Sequence, residues 1–73
     1  MTTWRGISIG MTREQVTSVL GLPEDVGGTS RKYPTPSIYR YGKYELHFGQ
    51  PADGRLVRVY VEDTDGNEQT ILE

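Results

Sequence analysis

The sequence predicts a small α+β domain in which one short helix packs on a three- to four-stranded antiparallel β-meander. Three observations predict this fold: a capped helical segment, a later switch to two-residue hydrophobic periodicity, and glycine-containing turns between the alternating stretches. With 73 residues, the chain has room for one domain, residues 1–73, and for little beyond a minimal core.

The helix is predicted over residues 13–20 from its boundary signals. Thr12 fits the N-cap, and Gln15 completes a capping box in which each side chain accepts from the other residue's backbone N–H. Gly21 suits the left-handed position that ends a helix, and Pro23 prevents continuation. Helical spacing directs three apolar side chains toward the core: Val16, Val19 and Leu20. Residues 23–36 are then expected to form an irregular connector.

Two hairpins are predicted after residue 37. Gly42 occupies the first central position of a two-residue type II′ turn. This turn predicts four cross-strand pairs: Tyr41 with Tyr44, Arg40 with Glu45, Tyr39 with Leu46 and Ile38 with His47. A second hairpin, turning at Asp53-Gly54 into a strand near residues 55–62, is expected to pair Phe48 with Val57, Leu46 with Val59 and Tyr44 with Val61. One sheet face then forms the core: Tyr39, Tyr41, Tyr44, Leu46, Phe48, Val57, Val59 and Val61.

Further core and strand predictions concern the two ends of the chain. Trp4, Ile7 and Ile9 are expected to fill the seam between the helix and the sheet. At the other end, a turn at Asp65-Gly66 predicts that residues 69–72 add a short fourth strand.

The predicted open face of the sheet is the first candidate site. Its residues mix Tyr, Arg and apolar side chains, a composition typical of interface hot spots: Ile38, Arg40, Glu45, His47, Leu56, Arg58 and Tyr60. Such a face predicts binding to another protein. Two alternatives stay open: an ordinary solvated face, in which the Arg40–Glu45 pair contributes about 0.2–1 kcal/mol, or a face covered by a second protomer in a homodimer.

Residues 27–32, Gly-Gly-Thr-Ser-Arg-Lys, are the second candidate site. Flexible backbone N–H groups, two hydroxyls and the cations Arg31 and Lys32 would suit an anionic nucleotide or metabolite. The segment does not match a Walker loop, and a plain polar loop is the competing interpretation. A sequestering binder of such a ligand is therefore the alternative function.

Composition excludes several other functions. Because the chain has no cysteine and a single histidine, His47, it offers no thiolate zinc site, cysteine nucleophile or catalytic triad; no enzyme activity, metal or cofactor is expected. Residues 63–68 depart from calcium-loop spacing, so they predict a turn.

The charge distribution also bears on partners. The net charge is −2, but residues 62–73 carry five acidic and no basic residues, whereas residues 1–61 carry eight basic and five acidic. A pI near 5.3 and this acidic end argue against nucleic acid as a partner. No apolar run reaches the roughly 20 residues of a membrane span, and no signal-like segment is seen, so a cytoplasmic protein without membrane contact is expected.

Residues 10–23, Gly-Met-Thr-Arg-Glu-Gln-Val-Thr-Ser-Val-Leu-Gly-Leu-Pro, resemble the signature of SmpA/BamE-like domains and of the related β-lactamase inhibitory protein fold. The later Tyr41-Gly42-x-Tyr44-Glu45-Leu46-x-Phe48 and Gly54-x-Leu56-Val57 fit the strands of such a domain. The chain departs from the outer-membrane lipoproteins because it has no cysteine to carry a lipid, and from the inhibitory protein because it contains one unit. The chain is also similar to short cytoplasmic proteins of unknown role that share this pattern. The resemblance implies a module that grips proteins with its sheet face and loops, of inhibitor or immunity type.

Overall fold

A computed structural model describes residues 3–49 and 54–73 of the chain. One helix, α1 (Arg13–Leu20), accompanies a single antiparallel sheet whose strands follow one another in chain order. The strands are β1 (Asp25–Gly27), β2 (Ile38–Tyr41), β3 (Tyr44–Phe48), β4 (Leu56–Glu62) and β5 (Glu68–Leu72). The α+β class is confirmed, but the sheet has five strands among these residues rather than three or four.

Helix α1 begins and ends where its capping residues predict. The Gln15 N–H donates to Thr12 Oγ1 at 3.2 Å, and the Thr12 N–H donates to Gln15 Oε1 at 2.9 Å. Gly21 follows the helix with a φ of +84°. The Tyr41 hydroxyl donates to the Gly21 carbonyl at 2.8 Å, which ties the helix end to β2. Burial raises the pKa of Tyr41, and nearby Tyr39 raises it further.

The β2–β3 hairpin has the predicted register. Gly42 takes a φ of +63° while Lys43 does not adopt a positive φ, which is the pattern of a type II′ turn. All four predicted cross-strand pairs are present: Ile38–His47, Tyr39–Leu46, Arg40–Glu45 and Tyr41–Tyr44.

The β3–β4 pairing departs from the prediction at its end. A β-bulge shifts the register, so that Phe48 lies opposite Leu56 rather than Val57. Leu56 is consequently in the core with 1% of its surface exposed, whereas Val57 is 49% exposed. The prediction that Leu56 lies on the open face and Val57 in the core was therefore wrong. The rest of the predicted register is confirmed: Tyr44–Val61 and Leu46–Val59.

Backbone hydrogen bonds to the segment before the helix explain the bulge. The Leu56 N–H donates to the Met11 carbonyl at 2.7 Å, and the Gly10 N–H donates to the Leu56 carbonyl at 2.8 Å. These bonds hold the start of β4 beneath the chain that leads into α1. The Leu56 side chain therefore joins the core that α1 helps to form.

The core lies between α1, the N-terminal segment and one face of the sheet. Its buried apolar residues come from the N-terminal segment, α1, β3, β4 and β5: Ile7, Val16, Leu46, Phe48, Leu56, Val59 and Leu72. Trp4 and the three tyrosines of the predicted core face pack against this cluster. Two other predictions fail, because Ile9 and Val19 are 39% and 50% exposed.

Strand β1 lies in the segment predicted to be an irregular connector, and this prediction was wrong. Its three residues pair with β2 in the order Asp25–Arg40, Val26–Tyr39 and Gly27–Ile38. The predicted final strand is confirmed and begins one residue earlier, at Glu68. The predicted turn residue Asp53 lies outside the described residues.

The Arg13 side chain connects α1 to two other segments of the chain. It is 8% exposed, and its Nε donates to the Pro36 carbonyl at 2.9 Å. Its two Nη atoms donate to the carbonyls of Gly54 (3.0 Å) and Gly49 (2.8 Å). These two glycines approach so closely that a Cβ on Gly54 would collide with the Gly49 backbone. The guanidinium also lies over the Phe48 ring, 5.1 Å from its centre.

The bulge predicts different costs for two neighbouring substitutions. Leu56→Ala should lower the free energy of unfolding by about 2–5 kcal/mol, because it opens a cavity in the core. Val57→Thr keeps a β-branched residue on the surface and should change it by about 0.5 kcal/mol or less. Urea unfolding of both variants measures this. Equal losses of unfolding free energy, or a larger loss for Val57→Thr, would contradict the bulge and support the register in which Phe48 lies opposite Val57.

The geometry of Arg13 predicts that lysine cannot replace it. Arg13→Lys should lower the free energy of unfolding by about 2–4 kcal/mol, because a lysine ammonium lacks the planar fork with which the buried guanidinium reaches three backbone carbonyls. Arg31→Lys, at an exposed arginine, is the matched control and should have little effect. Chemical denaturation of both variants provides the comparison, and similar stabilities would contradict the role given to Arg13.

The raised pKa of Tyr41 predicts a loss of stability in alkali. The folded protein holds the Tyr41 proton more tightly than the unfolded chain, in which tyrosine titrates near pH 10. The free energy of unfolding should therefore fall as the pH rises from about 10 through the folded-state pKa. Tyr41→Phe should show a shallower fall in urea titrations across this range; identical slopes would refute the assignment.

Candidate functional site

The open face of the sheet brings together the six predicted protein-binding residues that remain after Leu56 is excluded. Each of three adjacent strands contributes two of them, at paired positions. Helix α1 and the N-terminal segment contribute their buried residues, Val16 and Ile7, to the core on the other face. We use the name open face for these six residues: Ile38, Arg40, Glu45, His47, Arg58 and Tyr60.

The centre of the open face is half-buried and its flanks are exposed. His47 and Tyr60 meet at its centre, with ring centres 4.8 Å apart and planes inclined by 80°. Ile38 pairs with His47 across the β2–β3 ladder and is also partly buried. Arg40 and Arg58 are exposed on either side. The face therefore has an aromatic and apolar centre between two cations.

Ion contacts orient Arg40 and connect it to the centre. Arg40 Nη1 lies 3.3 Å from Asp25 Oδ2, and its Nε lies 3.6 Å from Glu45 Oε1. Asp25 belongs to β1, so the sequence-based search for site residues missed it together with that strand. The Arg40–Asp25 pair is exposed, and such pairs contribute little stability, so its main effect is to fix the direction of the Arg40 side chain.

His47 carries a nitrogen without a hydrogen-bond partner. Its Nε2 is shielded from solvent and lies 4.0 Å from Glu45 Oε1, beyond hydrogen-bonding distance. A buried polar atom that lacks a partner costs free energy. A movement of about 1 Å by either side chain would close this gap into a hydrogen bond.

Arg58 is held by two neighbours. Its Nη1 donates to the Tyr60 hydroxyl at 3.0 Å, and its Nε lies 3.9 Å from Glu73 Oε2. The hydrogen bond to Tyr60 raises the pKa of Arg58, and the Tyr60 and Glu73 charges raise it further. Arg58 is therefore a permanent, exposed cation of defined direction.

The second candidate site is not assembled into a cluster. Arg31 and Lys32 are exposed, and Lys32 Nζ lies 5.5 Å from the centre of the Tyr33 ring. The Ser30 N–H donates to the Tyr33 carbonyl, and the Ser30 hydroxyl accepts from the Tyr33 N–H, so this turn uses groups that an anion would need. A further cation, Lys43, does not extend this candidate site, because it lies after the C-terminal end of β2 whereas the loop of Arg31 and Lys32 precedes that strand.

The residues considered for metal binding take part in a turn. Asp63 Oδ1 accepts from the backbone N–H groups of Asp65 and Asn67, each at 2.9 Å. Across residues 3–49 and 54–73, no three His, Cys, Asp or Glu side chains are grouped so that they could hold a metal ion. Nor does this part of the chain contain a helix long and apolar enough to cross a membrane.

Comparison of the chain with protein-family models, with curated proteins and with solved structures found no match. The resemblance to SmpA/BamE-like domains stays a prediction from the residues that carry it. Functional inference therefore rests on the chemistry of the site itself.

Proposed function

We propose that this protein is a non-enzymatic binding module whose open face holds another protein. The observation that supports this most is the arrangement at the centre of that face: the rings of His47 and Tyr60 pack edge to face, beside two oriented arginines. Tyrosine and arginine are the residue types that dominate binding energy in protein interfaces. An inhibitor or immunity-type role is the finer form of the proposal.

The size of the domain suits this function better than catalysis. A standard interface buries about 800 Å² on each partner, about one-sixth of the 4814 Å² surface of this chain. The open face spans three adjacent strands of the sheet, which is the kind of broad surface on which such a contact can form. An enzyme would need a nucleophile, a base and an oxyanion site close together, and the six residues of this face do not form that combination.

The charges of the face support recognition of a partner with its own carboxylates. Arg40 and Arg58 extend from opposite sides of the centre, and a carboxylate can accept two bonds from a guanidinium. The contact between Glu45 and His47 can tighten on binding, which would remove the cost of the unpaired Nε2. The partner is thus expected to bring an acidic rim around an apolar or aromatic centre.

The alternative, a sequestering binder of an anionic nucleotide or metabolite at Arg31 and Lys32, remains a prediction with less support. Its cations are exposed and its turn uses its own hydroxyl and amide groups internally. Thermal shift against a panel of nucleotides tests it, because a tight ligand raises the melting temperature by mass action.

Charge reversal on the open face should abolish capture of the partner. Arg58→Glu and Tyr60→Ala are expected to reduce capture in affinity pull-down with mass spectrometry at least tenfold, because the first reverses a cation beside the centre of the face and the second removes an aromatic ring at the centre. Arg31→Glu is the matched control and should capture the partner as the wild type does. Circular dichroism of each variant verifies the fold.

Two results would contradict the proposal. Unchanged capture by folded Arg58→Glu and Tyr60→Ala variants would exclude the open face as the site. Loss of capture with Arg31→Glu alone would favour the loop instead. Sedimentation of the pure protein tests the homodimer: a dimer that Arg58→Glu dissociates would make the partner a second copy of this chain.

A further inference from the structure

The outer edge of β5 presents backbone groups that no other strand of the described chain pairs. The Asp63 N–H donates to the Asn67 carbonyl at 2.9 Å, whereas the Glu62 N–H donates to the Lys43 carbonyl at 3.0 Å, so the backbone of Asp63 faces β5 and that of Glu62 faces β3. Bonded and non-bonded pairs alternate along an antiparallel ladder. Gln69 therefore bonds to β4, whereas Glu68 and Thr70 direct their N–H and C=O groups outward. Both residues are exposed.

The opposite edge of the sheet is less open. Strand β1 has three residues, and Asp25 Oδ1 accepts from the Val26 N–H at 2.9 Å. Asp25 Oδ2 also contacts Arg40 at 3.3 Å, which holds the carboxylate in place. Short length and satisfied backbone groups are the ordinary protections of an edge strand. Strand β5 has five residues, and Thr70 projects from it beside Tyr60 of the open face.

The charges along β5 indicate which chain would pair with it. Glu68 lies directly opposite Glu62, a like-charge pair that destabilises an isolated sheet. Both are exposed, and residues 62–73 carry five acidic and no basic residues. A cationic side chain beside β5 would relieve this repulsion. A second copy of β5 would increase it, because it would bring two such acidic segments together.

We propose that the β5 edge takes up an extended, lysine- or arginine-bearing segment of another protein as a sixth strand. Main-chain hydrogen bonds to Glu68 and Thr70 would supply affinity, and the Glu62–Glu68 pair would select for basic side chains. This is a second binding surface, adjacent to the open face.

The direct test uses a capped heptapeptide of alternating lysine and valine as the probe, with amide hydrogen exchange followed by NMR. The peptide should bind saturably and slow exchange at the Glu68 and Thr70 amides at least tenfold, while the Val26 amide on the other edge stays unchanged. Binding should weaken as salt is added, because the charges involved are exposed. A heptapeptide with glutamate in place of lysine is the charge control and should not bind.

Substitutions at one position separate backbone pairing from other contacts. Thr70→Pro removes an outward N–H without removing a bond to β4, and should weaken peptide binding at least tenfold. Thr70→Val retains the N–H and should bind as the wild type does. Glu68→Lys should also weaken binding. The unaltered protein offers an independent measurement with two further probes, one N-methylated at the odd-numbered peptide residues and the other at the even-numbered ones. Only the probe whose remaining N–H groups face β5 should bind.

Three results with the peptides would overturn the proposal: no slowed exchange at Glu68 and Thr70 at saturating probe, equal binding by both N-methylated probes, or equal binding by the glutamate peptide. A fourth is slowed exchange that depends on protein concentration in the absence of any peptide, because this would indicate that a second copy of the chain occupies the edge. Failure at this edge is distinguishable from failure of the open face, because the peptide experiment measures exchange at the Glu68 and Thr70 amides and the capture experiment measures the open face separately.

Discussion

The buried guanidinium of Arg13 is the constraint on which the rest of this small fold depends. Three of its bonds reach carbonyl groups before β2 and on both sides of the loop between β3 and β4. A charged group out of water requires partners of this kind, and carbonyl groups at the ends of strands have capacity to accept. One side chain thus fixes the helix against the sheet where the apolar core is too small to do so alone.

This attachment determines which side chains the open face displays. With α1 held above the start of β4, Leu56 pairs its backbone with Gly10 and Met11 and turns its side chain inward. The open face consequently lacks the leucine that strict alternation would place there. What remains is a centre of His47 and Tyr60 between arginines, a composition that suits the directional contacts of the proposed interface better than general apolar adhesion.

The parts of the fold that depend on neighbouring residues could be predicted from the sequence. Thr12 and Gln15 locate the start of the helix because a capping box involves only residues close in sequence. Gly42 sets the register of the β2–β3 hairpin because a two-residue turn permits one pairing of the strands on either side of it. Six of the eight predicted core-face residues are also confirmed by their burial or their packing on the core: Tyr39, Tyr41, Tyr44, Leu46, Phe48 and Val59.

The errors arise where distant residues decide the outcome. Strand β1 is too short for a periodic pattern, and it forms only because β2 offers an edge for it. The bulge at Leu56 depends on bonds to residues more than 40 positions earlier, and the role of Arg13 depends on carbonyls 23 to 41 positions away. No local signal distinguishes Arg13 from an ordinary helix-surface arginine. The six open-face residues were predictable because their register is local, whereas Asp25 was not.

NMR of the arginine side chains tests the central role of Arg13 most directly. If its guanidinium is held by the three carbonyls, its Nε–H and Nη–H protons should give separate, slowly exchanging signals with through-bond couplings to the carbonyl carbons of Pro36, Gly49 and Gly54. A single averaged signal that exchanges as fast as that of exposed Arg31 would contradict it. The attachment of the helix, the inward Leu56 and the composition of the open face would then need another cause.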